Sequence, residues 1–249
     1  MFKTTLLAAA LSLASVSAFA NPAAQPAAPA AAPVGAPLTL GEQFIVRAYA
    51  GQLEGLALTN VVKAKTLGIA VNNSTICTTL AGAVAGEFVA HNKNDGLEAG
   101  KKGETPVRRL DIVAYTPDTD PVVAAKSLKD KEAVALLFGG QVSDENNAMA
   151  VKLTLAELAK DNYAGAIFLH LTVAAKKWVE QAASEDPAIA KYLADKANVY
   201  SLAVNVEKKQ GCVKQMSYKD GKTTATTVFE TPLNDGFLGL FKRRLIPAQ

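Results

Sequence analysis

The sequence predicts an α+β fold in which an apolar, mainly helical N-terminal half packs with a mixed region ending in a three-stranded antiparallel meander. Three observations carry that expectation. Residues 38–58 place apolar side chains at helical spacing directly after a helix-start signal. Residues 66–86 hold no charge and only a short polar interruption, the composition of buried elements. Val199–Glu207, Cys212–Lys219 and Thr223–Glu230 read as strands, and Asp220-Gly221 between the last two is a strong hairpin signal.

The chain opens with the three parts of a secretory signal peptide. Lys3 supplies the positive start, Leu6 to about Leu13 the apolar stretch, and Ala18-Phe19-Ala20 the small-residue cleavage pattern, so the mature chain is expected to begin at Asn21. The apolar stretch is too short to span a bilayer as a helix. No Cys follows it, which argues against a lipid anchor. Residues 21–37 are nearly all Ala and Pro; repeated Pro blocks helix and nothing there can form a core, so an extended tether is expected. The expected location is the periplasm or the medium outside the cell.

From residue 38 to 95 the chain reads as an apolar, mainly helical segment. Thr39 and Glu42 form a capping box for the first helix. Leu40, Phe44, Ala48 and Gln52 follow at i+4, with Ile45 and Tyr49 on an adjoining stripe, which marks the expected buried face. Two buried elements follow, Leu67–Val71 and Ile76–Val89, split by the polar Asn72-Asn73-Ser74-Thr75. Those amides make a membrane span improbable on energetic grounds. The second element reads as a helix packed closely through Gly82 and Gly86.

A polar, Gly-rich loop at 96–106, with Lys101 and Lys102, is the expected boundary to an α+β region over 107–230. There Arg109–Tyr115 alternates like a strand, Asp120-Pro121 suits the cap and first residue of a helix reaching Lys129, and Ala133–Phe138 reads as a buried strand before Gly139-Gly140. Residues 147–160 favour helix, although 148–158 also alternate like a strand. Residues 164–173 carry the same ambiguity before a clear helix to Ala183. Asp186-Pro187 restarts a helix, and Gln210-Gly211 marks a turn in the meander.

Composition excludes more than it assigns. A formal charge of +3, falling to +2 when Lys3 leaves with the signal peptide, is too balanced for a nucleic-acid binder. Two histidines, His91 and His170, and no clustered Cys, His or Asp at ligand spacing give no metal site. No glycine-rich nucleotide fingerprint is present, so no cofactor is expected. Tyr192 and Lys196 match a Y-x-x-x-K spacing that sets them one helical turn apart without a cofactor motif beside them.

Cys77 and Cys212 are a candidate disulfide in an oxidising compartment, worth about 4 kcal/mol in the chain-entropy model. The C-terminal segment 231–249 gathers Phe237, Leu240 and Phe241 beside Lys242, Arg243 and Arg244. That patch either binds a partner, with at most peripheral membrane contact, or docks on its own domain. The leading expectation is an exported, non-enzymatic binding or interaction protein of the cell envelope or secretome. Two alternatives stand beside it. One is an exported hydrolase using Ser74 or Cys77 with a histidine. The other is a periplasmic carrier holding a small apolar ligand between the C-terminal sheet and the helices around Phe168–Trp178.

Overall fold

The computed structural model describes residues 37–91, 98–99, 107–196, 198–219 and 221–245. The signal-peptide segment, residues 21–36 of the tether, most of the 96–106 loop with Lys101 and Lys102, and residues 246–249 lie outside them.

Helix α1 (Leu40–Asn60) starts where the capping box predicts: the Glu42 N–H donates to Thr39 Oγ1, and the Thr39 N–H donates back to Glu42 Oε2 at 2.8 Å. Strand β1 (Leu67–Asn72) follows, every residue buried, and then helix α2 (Thr75–His91). Two short strands, β2 (Glu98–Ala99) and β3 (Val107–Arg108), pair antiparallel, and β4 (Leu110–Tyr115) leads to α3 (Pro121–Lys126). Asp120 caps α3 by accepting from the Val122 N–H at 2.8 Å. Then come β5 (Ala133–Leu137), α4 (Asp144–Lys160), β6 (Ala166–Leu169), α5 (Leu171–Ala175), α6 (Trp178–Glu185) and α7 (Pro187–Ala194). The two ambiguous stretches are therefore resolved as helix for 148–158 and strand for 166–169. Strands β7 (Val199–Asn205), β8 (Gln210–Lys219) and β9 (Lys222–Pro232) complete the sheet before helix α8 (Asp235–Leu245).

The chain is mixed α and β, and it ends in the expected antiparallel β7-β8-β9 meander. The turn between β7 and β8 falls at 206–209, with Lys209 left-handed at φ 53°, two to three residues before the expected Gln210-Gly211. The strands before the meander have an arrangement the sequence did not disclose. The large sheet has the order β4-β1-β5-β6-β7-β8-β9, and β4, β1, β5, β6 and β7 are parallel. In chain order those five strands run 2-1-3-4-5, a doubly wound sheet. Because β1 pairs with both β4 and β5, residues 38–95 and 107–230 share one sheet, and the described residues belong to one compact unit.

Both faces of the sheet are covered at β1, β5 and β6, every residue of which is buried, and this explains why those strands read as continuous apolar runs. Ala133, Ala135 and Leu137 of β5 face one core with Leu58 of α1 and Leu80, Val84 and Phe88 of α2. Val134, Leu136 and Phe138 face the other, with Val151 and Leu155 of α4, Val179 of α6 and Leu193 of α7. The result is a three-layer α/β/α sandwich.

Two packing expectations are corrected. The predicted apolar stripe of α1 is not its most buried side: Leu40, Ile45 and Tyr49 are 52%, 47% and 38% exposed, and Phe44 and Ala48 are half-buried. The buried residues of α1 are instead Val46, Arg47, Ala50, Gly51, Glu54, Gly55, Ala57 and Leu58. Its glycines make the close approach to α2, since a Cβ on Gly51 would lie 2.6 Å from Ala83 Cβ and 2.9 Å from the Leu80 carbonyl oxygen. At Gly82 and Gly86 of α2, expected to pack closely, a Cβ would meet no atom of another element within 4 Å. Small residues let two backbones approach; here α1 supplies them.

Candidate functional site at the carboxyl edge of the sheet

In open α/β sheets, ligands lie outside the carboxyl ends of the strands where the strand order reverses. That point falls between β1 and β5, whose following helices α2 and α4 sit on opposite faces. The residues there are Asn72 and Ser74 after β1, Gly139 and Gly140 after β5, and Asn147 of α4. They bond to one another. Asn72 Nδ2 donates to the Gly139 carbonyl at 2.7 Å and to Asn147 Oδ1 at 2.8 Å. Asn72 Oδ1 accepts from Ser74 Oγ at 2.6 Å and from the Ser74 N–H at 3.1 Å. Asn147 Nδ2 donates to the Val142 and Ser143 carbonyls, and Asn147 Oδ1 accepts the Gly139 N–H. Gly140 is left-handed at φ 73°, and a Cβ there would lie 2.9 Å from Cys77 Sγ. This crevice is closed by the protein's own polar groups, and the Ser74 hydroxyl hydrogen is spent on Asn72.

One strand further along the same edge lies a buried charge cluster that sequence reasoning missed. Arg47 and Glu54 stand seven residues apart on α1, two turns along one face. His170 directly follows β6, and strand alternation continues its side chain onto the face of Ala166 and Phe168, toward α1. His170 Nδ1 lies 2.6 Å from Glu54 Oε1, and Nε2 lies 3.1 Å from Arg47 Nη1. The three residues are 2%, 0% and 1% exposed in chain order. A guanidinium only donates, so His170 Nε2 is the acceptor and Nδ1 carries the hydrogen given to Glu54. The imidazole thus bridges a buried cation and a buried carboxylate. The signal for it was Arg47 and Glu54 on the face of α1 that carries both glycines.

The remaining predicted residues are placed as follows. His91 ends α2 on the surface and meets Glu87 at 2.9 Å. Neither histidine is a hydrogen-bond partner of Ser74 or Cys77. Cys77 and Cys212 are separate thiols, both buried, so the candidate disulfide is not formed. Cys77 belongs to the core under α1 and α2, whereas Cys212 shares its side of β8 with Met216 and Tyr218 in the opposite core. Cys77 also lies beside Gly140 after β5, and β6 and β7 separate β5 from β8, a span on the order of 14 Å at ~4.8 Å per strand, far beyond disulfide reach. Burial raises the Cys212 thiol pKa.

The C-terminal patch docks on its own domain. Phe237 and Phe241 are buried with Val46 of α1, and the Phe237 ring lies 5.6 Å from that of Tyr49. Arg243 pairs with Glu42 and donates to the Pro37 carbonyl; its hydrogen bond is the largest cause holding the Glu42 carboxyl down at about 2. Leu240 packs at the margin of this cluster and Lys242 is exposed, while the Arg244 side chain lies outside the described set. Phe168 and Trp178, expected to flank a ligand cavity, fill opposite cores on the two sides of the sheet.

At the amino edge a shallow groove of about 580 Å³ is lined by Lys63, Lys131, Glu132, Tyr163, Asn198 and Tyr200. Two of its charged side chains are engaged within the protein: Lys131 pairs with Asp111 at 2.8 Å, and Glu132 accepts the Lys65 N–H at 2.7 Å. Beside it, Tyr192 Oη and Lys196 Nζ both donate to the Tyr163 carbonyl, at 2.9 and 2.8 Å, and the ammonium lies 5.1 Å from both tyrosine rings. The Y-x-x-x-K pair thus closes a turn. Burial lowers the Lys196 pKa from 10.5 to about 8. Between those values the unfolded chain holds a proton that the folded chain does not, so stability is expected to rise with pH over that window. Burial also raises Tyr163, Tyr192 and Tyr218 above their ordinary 10, a stabilising contribution present below pH 10 and lost above it. Denaturant unfolding from pH 7.5 to 9, below the point where the raised Cys212 thiol and the tyrosines act in the opposite direction, should therefore show a gain that Lys196→Met abolishes. A flat profile in the unsubstituted protein contradicts this account.

Among the described residues no group of three or more His, Cys, Asp or Glu side chains is arranged to hold a metal ion, and no helix is long and apolar enough to cross a membrane. Fold and site together define a doubly wound α/β/α domain whose carboxyl edge is closed by its own polar network. The chain belongs to the family whose model, described as "Uncharacterized protein", matches residues 43–240. No curated protein and no solved structure matches it.

Proposed function

We propose that the chain is an exported, non-enzymatic interaction protein of the cell envelope or secretome, which works through its surfaces and not through a substrate pocket. The observation that carries this reading is the state of His170. Its basic nitrogen, the one a hydrolase would turn to a nucleophile, is occupied by Arg47 inside the core. Ser74 is held by Asn72, and the switch-point crevice is filled. The signal-peptide pattern at Lys3 and Ala18-Phe19-Ala20 supports export.

The test has two readouts. Expressed as the full chain in a bacterium with an envelope, the protein should be recovered outside the cytoplasm with a mass that begins at Asn21; a full-length cytoplasmic product removes the export reading. Across a panel of chromogenic esters, thioesters and peptides, any residual turnover should be the same in the unsubstituted protein, Ser74→Ala and Cys77→Ala. Turnover abolished by either change, with folding intact by circular dichroism, would make the chain an enzyme.

A further inference from the structure

Strand β9 ends the sheet, so one of its edges pairs with no strand among the described residues. It is long, Lys222–Pro232, and seven successive residues from Thr224 to Glu230 are exposed, so both of its faces are open. Between Lys222 and Glu230 it carries no charge and no proline, the usual devices that blunt an edge. Its residues are strand formers: Thr223, Thr224, Ala225, Thr226, Thr227, Val228 and Phe229, with Val228 and Phe229 being 42% and 41% exposed. A register irregularity opposite Val213/Lys214, where Val228 is the extra residue, ends the regular part at Thr227.

The regular part, Thr-Thr-Ala-Thr-Thr, reads the same in both directions about Ala225. The hairpin sets Lys219 opposite Lys222 across a two-residue turn. Such a turn makes that pair hydrogen-bonded, so Thr223, Ala225 and Thr227 turn their N–H and C=O groups away from β8. We infer that β9 pairs antiparallel with β9 of a second copy of this chain, about a two-fold axis at Ala225. In that register Thr223 faces Thr227 of the partner copy, Thr224 faces Thr226, and Ala225 faces itself, so threonine meets threonine at every other position. The basic turn end of each strand, Lys219 and Lys222, lies toward the Glu230 end of the other; a parallel arrangement would set like charges side by side. The contact is isologous and closed, and the sheet runs on through both copies. Its small area makes it a reversible dimer.

Sedimentation of the full mature chain over a concentration series tests this. The unsubstituted protein should show a monomer–dimer equilibrium. Ala225→Pro should be monomeric, because it removes an outward N–H and no bond to β8. Two further variants keep the test independent of that substitution: Thr224→Lys/Thr226→Lys and Thr224→Glu/Thr226→Glu. Each alone should be monomeric by like-charge repulsion across the axis, and the equimolar mixture should form a heterodimer. An unsubstituted protein that stays monomeric up to about 100 µM, a range where even weak contacts assemble, overturns the inference. So does a dimer that persists in folded Ala225→Pro, or a mixture of the charged variants that stays monomeric.

Discussion

Glu54→Ala is expected to destabilise the fold by about 3–5 kcal/mol, the cost of breaking a buried charge network by removing one member. The change removes the carboxylate from a buried cluster that holds the Arg47 guanidinium, and takes away the Glu54 Oε1 to which His170 Nδ1–H donates. It also opens a void at a position with no solvent exposure. Glu54→Gln keeps an acceptor for Nδ1 and the shape, so it should cost less. The triple replacement Arg47→Met/Glu54→Leu/His170→Phe should recover much of the loss, because apolar groups of similar volume carry no desolvation penalty. Denaturant unfolding followed by the fluorescence of Trp178, the only tryptophan and a buried one, reads all three. A cost below about 1 kcal/mol for Glu54→Ala, the range of an exposed pair, would show that the cluster does not hold α1 to the sheet.

The second large effect reverses an ordinary rule. In a helix, alanine is favoured over glycine by about 1 kcal/mol. At Gly51 and Gly55 the same change is expected to destabilise by about 1–3 kcal/mol, the usual cost of overpacking. At Gly51 the added Cβ meets Ala83 Cβ at 2.6 Å and two backbone atoms of α2 at 2.9 and 3.0 Å; at Gly55 it meets Glu87 Cβ at 2.5 Å and the Val84 carbonyl oxygen at 2.9 Å. Backbone cannot step aside without separating the helices. Gly82→Ala and Gly86→Ala, which enter open space, should stabilise by up to about 1 kcal/mol. If all four variants shift the midpoint in the same direction, the helix contact does not run through α1's glycines.

The two predictions concern the face of α1 that sequence reasoning misassigned, for an identifiable reason. Leu40, Phe44, Ile45 and Tyr49 form a stripe by hydropathy alone, and a stripe is normally the buried side of a helix. Here burial of α1 is set by close approach to α2 and by the bridge to His170, so small and charged residues are inside. Part of the outer stripe is used by α8, as the contact of Tyr49 with Phe237 shows. The candidate site was half legible in the same sense. Asn72 to Thr75 and Gly139-Gly140 drew notice as the ends of apolar runs, and His170 as one of only two histidines. That β1, β5 and β6 end at one edge depends on strand order. His170 lies 116 residues from Glu54 and 123 from Arg47 along the chain, and no local pattern links them.

By itself, the sequence determined those features whose chemistry is complete within a few residues. The capping box of Thr39 and Glu42, the Asp-Pro helix starts at Asp120 and Asp186, the buried run at Ala133–Phe138 and the tight hairpin joining β8 to β9 are of this kind. Each satisfies backbone groups or a side-chain period locally, so each is written locally. The tertiary structure alone decided the parallel 2-1-3-4-5 order, the inward face of α1, the separation of Cys77 from Cys212 and the docking of α8. These depend on which distant surfaces meet. That choice follows from covering both faces of one sheet while leaving few buried polar groups without a partner, a condition that only the folded chain as a whole can meet.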